Sequence, residues 1–336
     1  MNLEKLINKM VSENYDIEYI NLVSRYASNL IKNQVEVIFD VEHFCKLVDC
    51  SKFFVLSLMN ETNPYYKKIV IPKKSGESRL ISIPSDDLKN IQSYILNYIL
   101  EFVPISDNAK GFKKGLSILE NARIHTKKMN VLSIDIRDFF HSISSIKVKD
   151  FFLGLGYTNE VSELLTQCTT HMGKLPQGAP TSPYLANIIC IELDSKLQRY
   201  ISDKEIYYTR YADDLTFSSN DNLKLFFFEI IAIIESEGFE INHNKTRIRY
   251  SHERQLVTGL VVNNKNPSVP REIKRRLRQE IHYCNKYGVH GHLSQMEKYH
   301  SNYKNYLLGM AYYIKMVDEK IGQKFIEEIK AIPWEY

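Results

Sequence analysis

Three carboxylates are the residues of this chain best suited to chemistry. Two are adjacent, in Tyr211-Ala212-Asp213-Asp214, with apolar and aromatic residues on both sides between Ile206 and Phe217. That pattern predicts strand, tight turn, strand, with the acids at the tip. Side-by-side carboxylates repel unless a cation lies beside them. Hard divalent ions such as Mg²⁺ take oxygen ligands and share them with substrate phosphates, so the tip is a candidate platform for phosphoryl chemistry. Taken alone, the pair equally fits a solvated turn.

The third acid, Asp135, closes the apolar run that begins at Val131. An acid at the end of a buried strand calls for a partner or a metal. Two strands of one antiparallel sheet would bring it to Asp213 and Asp214. Two-metal phosphoryl transfer uses such a set, with ions about 3.5–4 Å apart. The other reading of Asp135 is a helix N-cap ahead of Phe139 and Phe140. Between these acids, Lys174 to Pro183 carries three prolines and Gly178, which forbid regular structure. Ser182-Pro183 then opens a helical pattern that runs to Leu197. Gln177 before Gly178 suits close approach to a nucleotide, and suits a plain loop as well.

Other elements must position these residues. Residues 1–60 follow helical spacing, as in Leu3, Leu6, Ile7, Met10 and Val11. Tyr66 to Pro72 and Arg79 to Pro84 flank a basic glycine turn and predict a hairpin. Asp86 to Phe102 predicts a helix with Leu88, Ile91, Ile95, Leu96 and Ile99 on its apolar face. Ile241 to Ile248 leads into a strand over Gln255 to Asn263. After Pro267 and Pro270 the pattern turns helical and basic.

In order along the chain, Asp135 with Phe140, then Pro176-Gln177-Gly178, Tyr211-Ala212-Asp213-Asp214, Asn244-Lys245-Thr246 and Gly259 resemble the palm motifs of reverse transcriptases, over roughly residues 60 to 265. Asn121-Ala122-Arg123-Ile124-His125 and Val257-Thr258-Gly259 are similar to two short signatures of the retron branch, and Leu175 to Pro183 is close to the form found there.

The resemblance implies an α+β right-hand polymerase fold with fingers, an antiparallel-sheet palm and a helical thumb. Its expected divisions are an N-terminal helical region over 1–60, fingers over 61–130 with part of 141–180, a palm over 131–265 and a basic thumb over 266–336. It implies attack of a primer hydroxyl on a dNTP, with two Mg²⁺ ions, replaceable by Mn²⁺, held by Asp135, Asp213, Asp214 and the Ile136 carbonyl. Arg79, Lys73 and Lys74 would approach the triphosphate. Gln177 and Gly178 would meet the nucleotide, and Phe140 would exclude a ribose 2′-hydroxyl, unless it is a core aromatic. Lys245 would lie near the leaving pyrophosphate as proton donor or countercharge. Asn121, His125, Val257, Thr258 and Gly259 would contact RNA or primer, although a lone histidine equally fits a structural role.

The retron branch further implies a structured noncoding RNA as template, priming from an internal guanosine 2′-hydroxyl, a single-stranded DNA product joined to RNA, and an effector protein in phage defence. The 77 residues that follow Gly259 are too few for an RNase H domain of the usual ~100 or more, so a separate RNase H is expected. Alternatives are a group II intron-like or abortive-infection reverse transcriptase, a catalytically silent RNA-binding scaffold, and a metal-dependent nuclease.

Bulk properties are those of an ordinary soluble globular protein. The 336 residues are 44% hydrophobic and 25% charged, with net charge +4. Between Lys265 and Lys304, nine Lys or Arg face three acids, and Arg271, Lys274, Arg275, Arg276 and Arg278 form a dense group. Such a surface suits phosphates, or is simply a solvated helix face. His282, His290, His292 and His300 add donors there. Five cysteines without a Cys-x-x-Cys pair argue against a disulfide framework or zinc site and for a reducing cytoplasm. No signal pattern or membrane span is read. Leu225 to Ile234, the most apolar run, is broken by Glu229 and predicts a buried helix.

Overall fold

The computed structural model describes residues 3–59, 64–72, 78–296 and 302–334. The N-terminal region is helical, as its spacing predicts. Leu3–Ser12 and Ile17–Lys32 lead, the latter capped by the Asp16 carboxylate accepting from the Glu18 amide. Strands β1 (Tyr66–Pro72) and β2 (Ser78–Pro84) pair antiparallel, with Ile69 opposite Ile81. The Ser85 hydroxyl then caps the helix Asp86–Tyr98, which buries Leu88, Ile91 and Ile95.

The central sheet contains β3 (Asn130–Asp135), β4 (Ile206–Tyr211), β5 (Asp214–Ser219) and β6 (Arg247–Tyr250), all antiparallel, in the order β4-β5-β3-β6. The two inner strands are β5 and β3. β3 is buried on both faces, so it reads as a continuous apolar run rather than an alternation. One hydrophobic core spans Ala27 to Ile241 and takes in Leu132, Ile134, Leu215 and Phe217 from the sheet. A second joins Leu119, Ala122 and Val131 to Val257, Leu260 and the helices Arg271–Gln295, Tyr303–Val317 and Glu319–Ala331.

Three local expectations differ. The strand expected over Gln255 to Asn263 is a hairpin, β7 (Leu256–Val257) with β8 (Leu260–Val261), because Thr258 and Gly259 adopt φ of +45° and +84°. The helix expected from Ser182 onward is two, Ser182–Ile189 and Ile191–Ile201, meeting at Cys190. The apolar run at Leu225 is only half-buried: Ile230 and Ile234 face the core, but Leu225 and Phe228 are 71% and 77% exposed. Among the described residues no helix is long and apolar enough to cross a membrane.

Two buried polar groups tie helices to the sheet. Arg210 of β4 is fully buried and donates to both Asp194 carboxylate oxygens from Nε and Nη2, at 2.9 and 2.8 Å. The Tyr208 hydroxyl donates to the same carboxylate at 2.7 Å, and Arg210 Nη1 donates to Asn187 Oδ1 at 3.0 Å and to the Ala212 carbonyl at 3.4 Å. Ala212 has φ of +57°, so the guanidinium steadies a turn that its own backbone does not favour. His125, also fully buried, bridges Ser218 and Thr209 across β5 and β4 at 2.7 Å each.

Both devices have measurable consequences. Removing one partner of a buried, hydrogen-bonded pair strands the other charge, so Asp194→Asn or Arg210→Leu is expected to cost about 3–5 kcal/mol in urea unfolding. A loss below about 1 kcal/mol, the range of ordinary surface changes, would contradict the reading. Burial pulls the His125 imidazole down to about 3. The unfolded chain therefore binds this proton first, and stability falls as pH drops below the ordinary histidine range. Between pH 7 and 5 the wild type should lose on the order of 2 kcal/mol more than His125→Gln. Parallel stability profiles would show that His125 is not held neutral.

Candidate active site

The sheet places the three acids together. Asp135 ends β3 and Asp214 begins β5, and the two are direct cross-strand partners. Asp213 sits in the intervening β4–β5 turn. Its carbonyl accepts from the Ile136 amide at 2.9 Å, while the Asp135 carbonyl accepts from the Asn242 amide at 2.8 Å. Backbone bonds thus fix the chain at both carboxylate positions. The N-cap alternative for Asp135 fails, because the short helix Phe139–Ser142 is preceded by Asp138 and Asp135 lies in the strand.

A cleft of about 860 Å³ opens over Asp135 and Asp213. It is lined by Asp135, Ile136, Phe139, Phe140, Gln177, Asp213 and Lys245, with Arg79, Leu80 and Phe112 on its other walls. Arg79 is exposed on β2, and its positive charge favours ionised Asp213. Phe139 is buried, while Phe140 is half-buried beside it with ring centroids 5.4 Å apart. Phe139 thus belongs to the core, while Phe140 packs against that core and also lines the cleft. Lys73 and Lys74 lie outside the described residues.

The electrostatics are those of crowded acids. Desolvation raises the Asp213 carboxyl, the Asp135 charge adds to that, and Lys245 and Arg79 oppose it. Asp214 is solvent-exposed, yet the surrounding protein still withdraws part of the water from its carboxylate. That desolvation, followed by the charges of Asp213 and Asp135, pushes it up to about 6. Lys245 meets Asp135 head on, its ammonium donating to both carboxylate oxygens at 3.0 and 2.9 Å. This bond raises the lysine above its ordinary range. Among the described residues no three carboxylate, imidazole or thiol groups converge closely enough to hold an ion as they stand. The donor set nevertheless fits a hard divalent cation: it is oxygen-only, carries excess negative charge, and already draws one ammonium group into contact.

Gly178 makes a close backbone approach inside the protein. Its φ is +130°, and a Cβ there would lie 2.6 Å from the Ser82 carbonyl. The Gln177 carbonyl accepts from the Ser82 amide at 2.8 Å. The close backbone approach is thus to β2, and it presents Gln177 to the cleft.

The residues expected to touch RNA divide into two groups. Asn121, His125 and Val257 are buried, so direct RNA contact by these side chains is corrected to a structural role. The two short signatures meet each other instead: the Thr258 hydroxyl donates to the Ile118 carbonyl at 3.3 Å, and Asn121 Nδ2 reaches that hydroxyl at 3.5 Å. Thr258 is half-buried and Gly259 exposed. On the helix from Arg271, Arg271, Arg275, Arg276 and Arg278 are exposed and Lys274 is half-buried. His292, read as an added surface donor, is buried against Glu280 at 2.6 Å, which also accepts from the Tyr303 hydroxyl.

Sequence reasoning missed Arg210, Asp194 and Phe112. A charged residue inside the apolar strand Ile206–Tyr211, and another inside the helical run before Leu197, were the available signals for the first two.

Comparison with known proteins agrees with this geometry. The family model described as reverse transcriptase (RNA-dependent DNA polymerase) matches residues 71–283. The retron Ec86 reverse transcriptase of Escherichia coli is 37% identical over 277 residues, covering 81% of this chain and 82% of that protein. The retron Mx162 reverse transcriptase of Myxococcus xanthus is 33% identical over 313 residues, covering 83% of this chain and 63% of that longer protein. An apo telomerase structure from Candida Tropicalis has a TM-score of 0.44 at 13% identity, covering 61% of this chain and 55% of its own, too low to bear on the fold. The chain therefore belongs to the reverse transcriptases, as an RNA-directed DNA polymerase of retron type with the right-hand polymerase fold.

Proposed function

We propose that this polymerase copies a structured noncoding RNA into single-stranded DNA, primed from the 2′-hydroxyl of an internal guanosine, so that the product is branched RNA-linked DNA. The observation that carries the catalytic part is the meeting of Asp135, Asp213 and Asp214 at the end of the two inner strands, beside a cleft that also presents Phe140, Gln177 and Arg79. In the reaction the primer hydroxyl oxygen bonds to the α-phosphorus of a dNTP. The bond to the bridging oxygen breaks, and pyrophosphate leaves. Such catalysis is mostly positioning and charge stabilisation.

Asp135, Asp213 and Asp214, with the Ile136 carbonyl, would hold Mg²⁺, in two ions and with Mn²⁺ able to substitute. When bound, the metal neutralises triphosphate charge. Arg79 pairs with the phosphates from the β2 side, joined by Lys73 and Lys74. Gln177, presented by Gly178, orients the nucleotide. Phe140 fills the space that a ribose 2′-hydroxyl would need. With Asp135 acting as a metal ligand, Lys245 would be free to serve the departing pyrophosphate as countercharge or proton donor.

In this reading 1–60 is an N-terminal helical region, 61–130 with part of 141–180 the fingers, 131–265 the palm and 266–336 the thumb. Arg271, Lys274, Arg275, Arg276 and Arg278 give the thumb a basic face for the RNA backbone, and the Thr258-Gly259 turn adds a further contact. Template removal falls to a separate RNase H, and an effector protein completes a phage-defence system. The five unpaired cysteines suit a cytoplasmic setting.

The test is dNTP incorporation on a primed RNA template with Mg²⁺, followed by co-expression with the neighbouring RNA locus and analysis for RNA-linked DNA. The folded Asp213→Asn/Asp214→Asn protein should lose more than about a hundredfold in rate. Incorporation within about tenfold of wild type would reject the assignment of these acids. DNA products without an RNA branch would reject the priming scheme.

A further inference from the structure

The segment 108–112 is fastened to the turn that carries Asp213. The Arg210 amide donates to the Asn108 carbonyl at 2.8 Å, and the Lys110 amide donates to the Arg210 carbonyl at 2.7 Å. Asn187 clamps both partners: its Oδ1 accepts from Arg210 and its Nδ2 donates to the Gly111 carbonyl at 2.9 Å. Gly111 itself lies so close that an added Cβ would sit 2.9 Å from the Ala212 nitrogen. Only glycine allows this backbone-to-backbone contact.

Phe112 follows at once, with two unfavourable features. Its φ is +58°, a left-handed conformation that bulky residues seldom adopt. The residue is 45% exposed, although it carries a phenyl ring on the wall of a polar cleft. Strain and apolar exposure at one residue of a cleft point to a role in that cleft. Among the described residues the ring has one aromatic neighbour, Phe140, at a centroid distance of 6.2 Å and a tilt of 44°. Phe140 touches buried Phe139 as well, at 5.4 Å. Its ring thus has a rigid neighbour in the core and a second one, Phe112, facing the cleft.

We infer that Phe112 is a positioning residue for sugar selection: it holds the Phe140 ring in place, so that a ribose 2′-hydroxyl cannot displace it. The inference rests on the reading of Phe140 as the residue that excludes ribonucleotides. The strap through Gly111 makes the brace rigid, because it fixes the Phe112 backbone to the same turn that positions Asp213. A phenylalanine that could swing aside would exclude far less, since discrimination by clash depends on the clashing group being unable to relax.

The test compares kcat and KM for matched dNTP and rNTP on a primed RNA template, using the full chain and three variants. Phe112→Asn removes the ring but keeps a residue that tolerates the left-handed backbone. Phe112→Tyr restores the ring, and Phe140→Ala removes the proposed gate itself. Melting temperatures near wild type verify folding. Phe112→Asn should raise ribonucleotide efficiency relative to dNTP by about tenfold, mainly through a lower rNTP KM. Phe112→Tyr should return the ratio to the wild-type value. A Phe112→Asn ratio equal to wild type, while Phe140→Ala relaxes selection, overturns this inference alone. So does an equal loss of dNTP and rNTP efficiency in Phe112→Asn. An unchanged ratio in Phe140→Ala overturns the gate reading and this inference with it.

Discussion

Like-charge repulsion at the end of β3 and β5 is the constraint around which this molecule is arranged. Asp135, Asp213 and Asp214 are held together by strand register, not by mutual attraction. The sheet must therefore be stiff where they sit. Inner-strand placement, the backbone bonds of Ile136 and Asn242, and the buried Arg210 beneath the turn supply that stiffness. Lys245 relieves part of the repulsion directly, while desolvation first, and then the charges of Asp213 and Asp135, hold the Asp214 carboxyl above its usual range.

The Arg210–Asp194 pair is more than an anchor. Its hydrogen bonds run from the helix Ile191–Ile201 through β4 to the Ala212 carbonyl, and through Asn187 to Gly111. One buried cation thus connects two helices, a strand, the turn that bears the acids and the strap that bears Phe112. Replacing such a network with apolar residues can preserve stability, but it would forfeit the directional bonds that set the turn.

Much of this was legible in the sequence, because the strong signals were local. Asp135 at the end of an apolar run, Asp213 and Asp214 between two strand patterns, and the hairpin before Asp86 all appear where periodicity and turn chemistry put them. What escaped depends on contacts between distant segments. Nothing near His125 in the chain announces that Thr209 and Ser218 will satisfy it, so an apparently free imidazole is a buried bridge. Gly178 permits a close approach, but its sequence does not say that the neighbour is Ser82. Phe112 sits in an unpatterned stretch, and its importance emerges only when Gly111 and Phe140 are seen around it. The hairpin at Thr258 was hidden for another reason: a β-branched residue seldom takes a left-handed turn position, so the segment reads as one strand.

In the proposed mechanism the three acids form a divalent-cation site that Lys245 guards. Mn²⁺ binding, followed by water-proton relaxation on the full chain, tests it without any need for turnover. Wild type should bind Mn²⁺, Lys245→Met should bind it more tightly because no ammonium competes for Asp135, and Asp213→Asn/Asp214→Asn should bind it at least about tenfold more weakly. Equal Mn²⁺ affinity in all three proteins would contradict the claim.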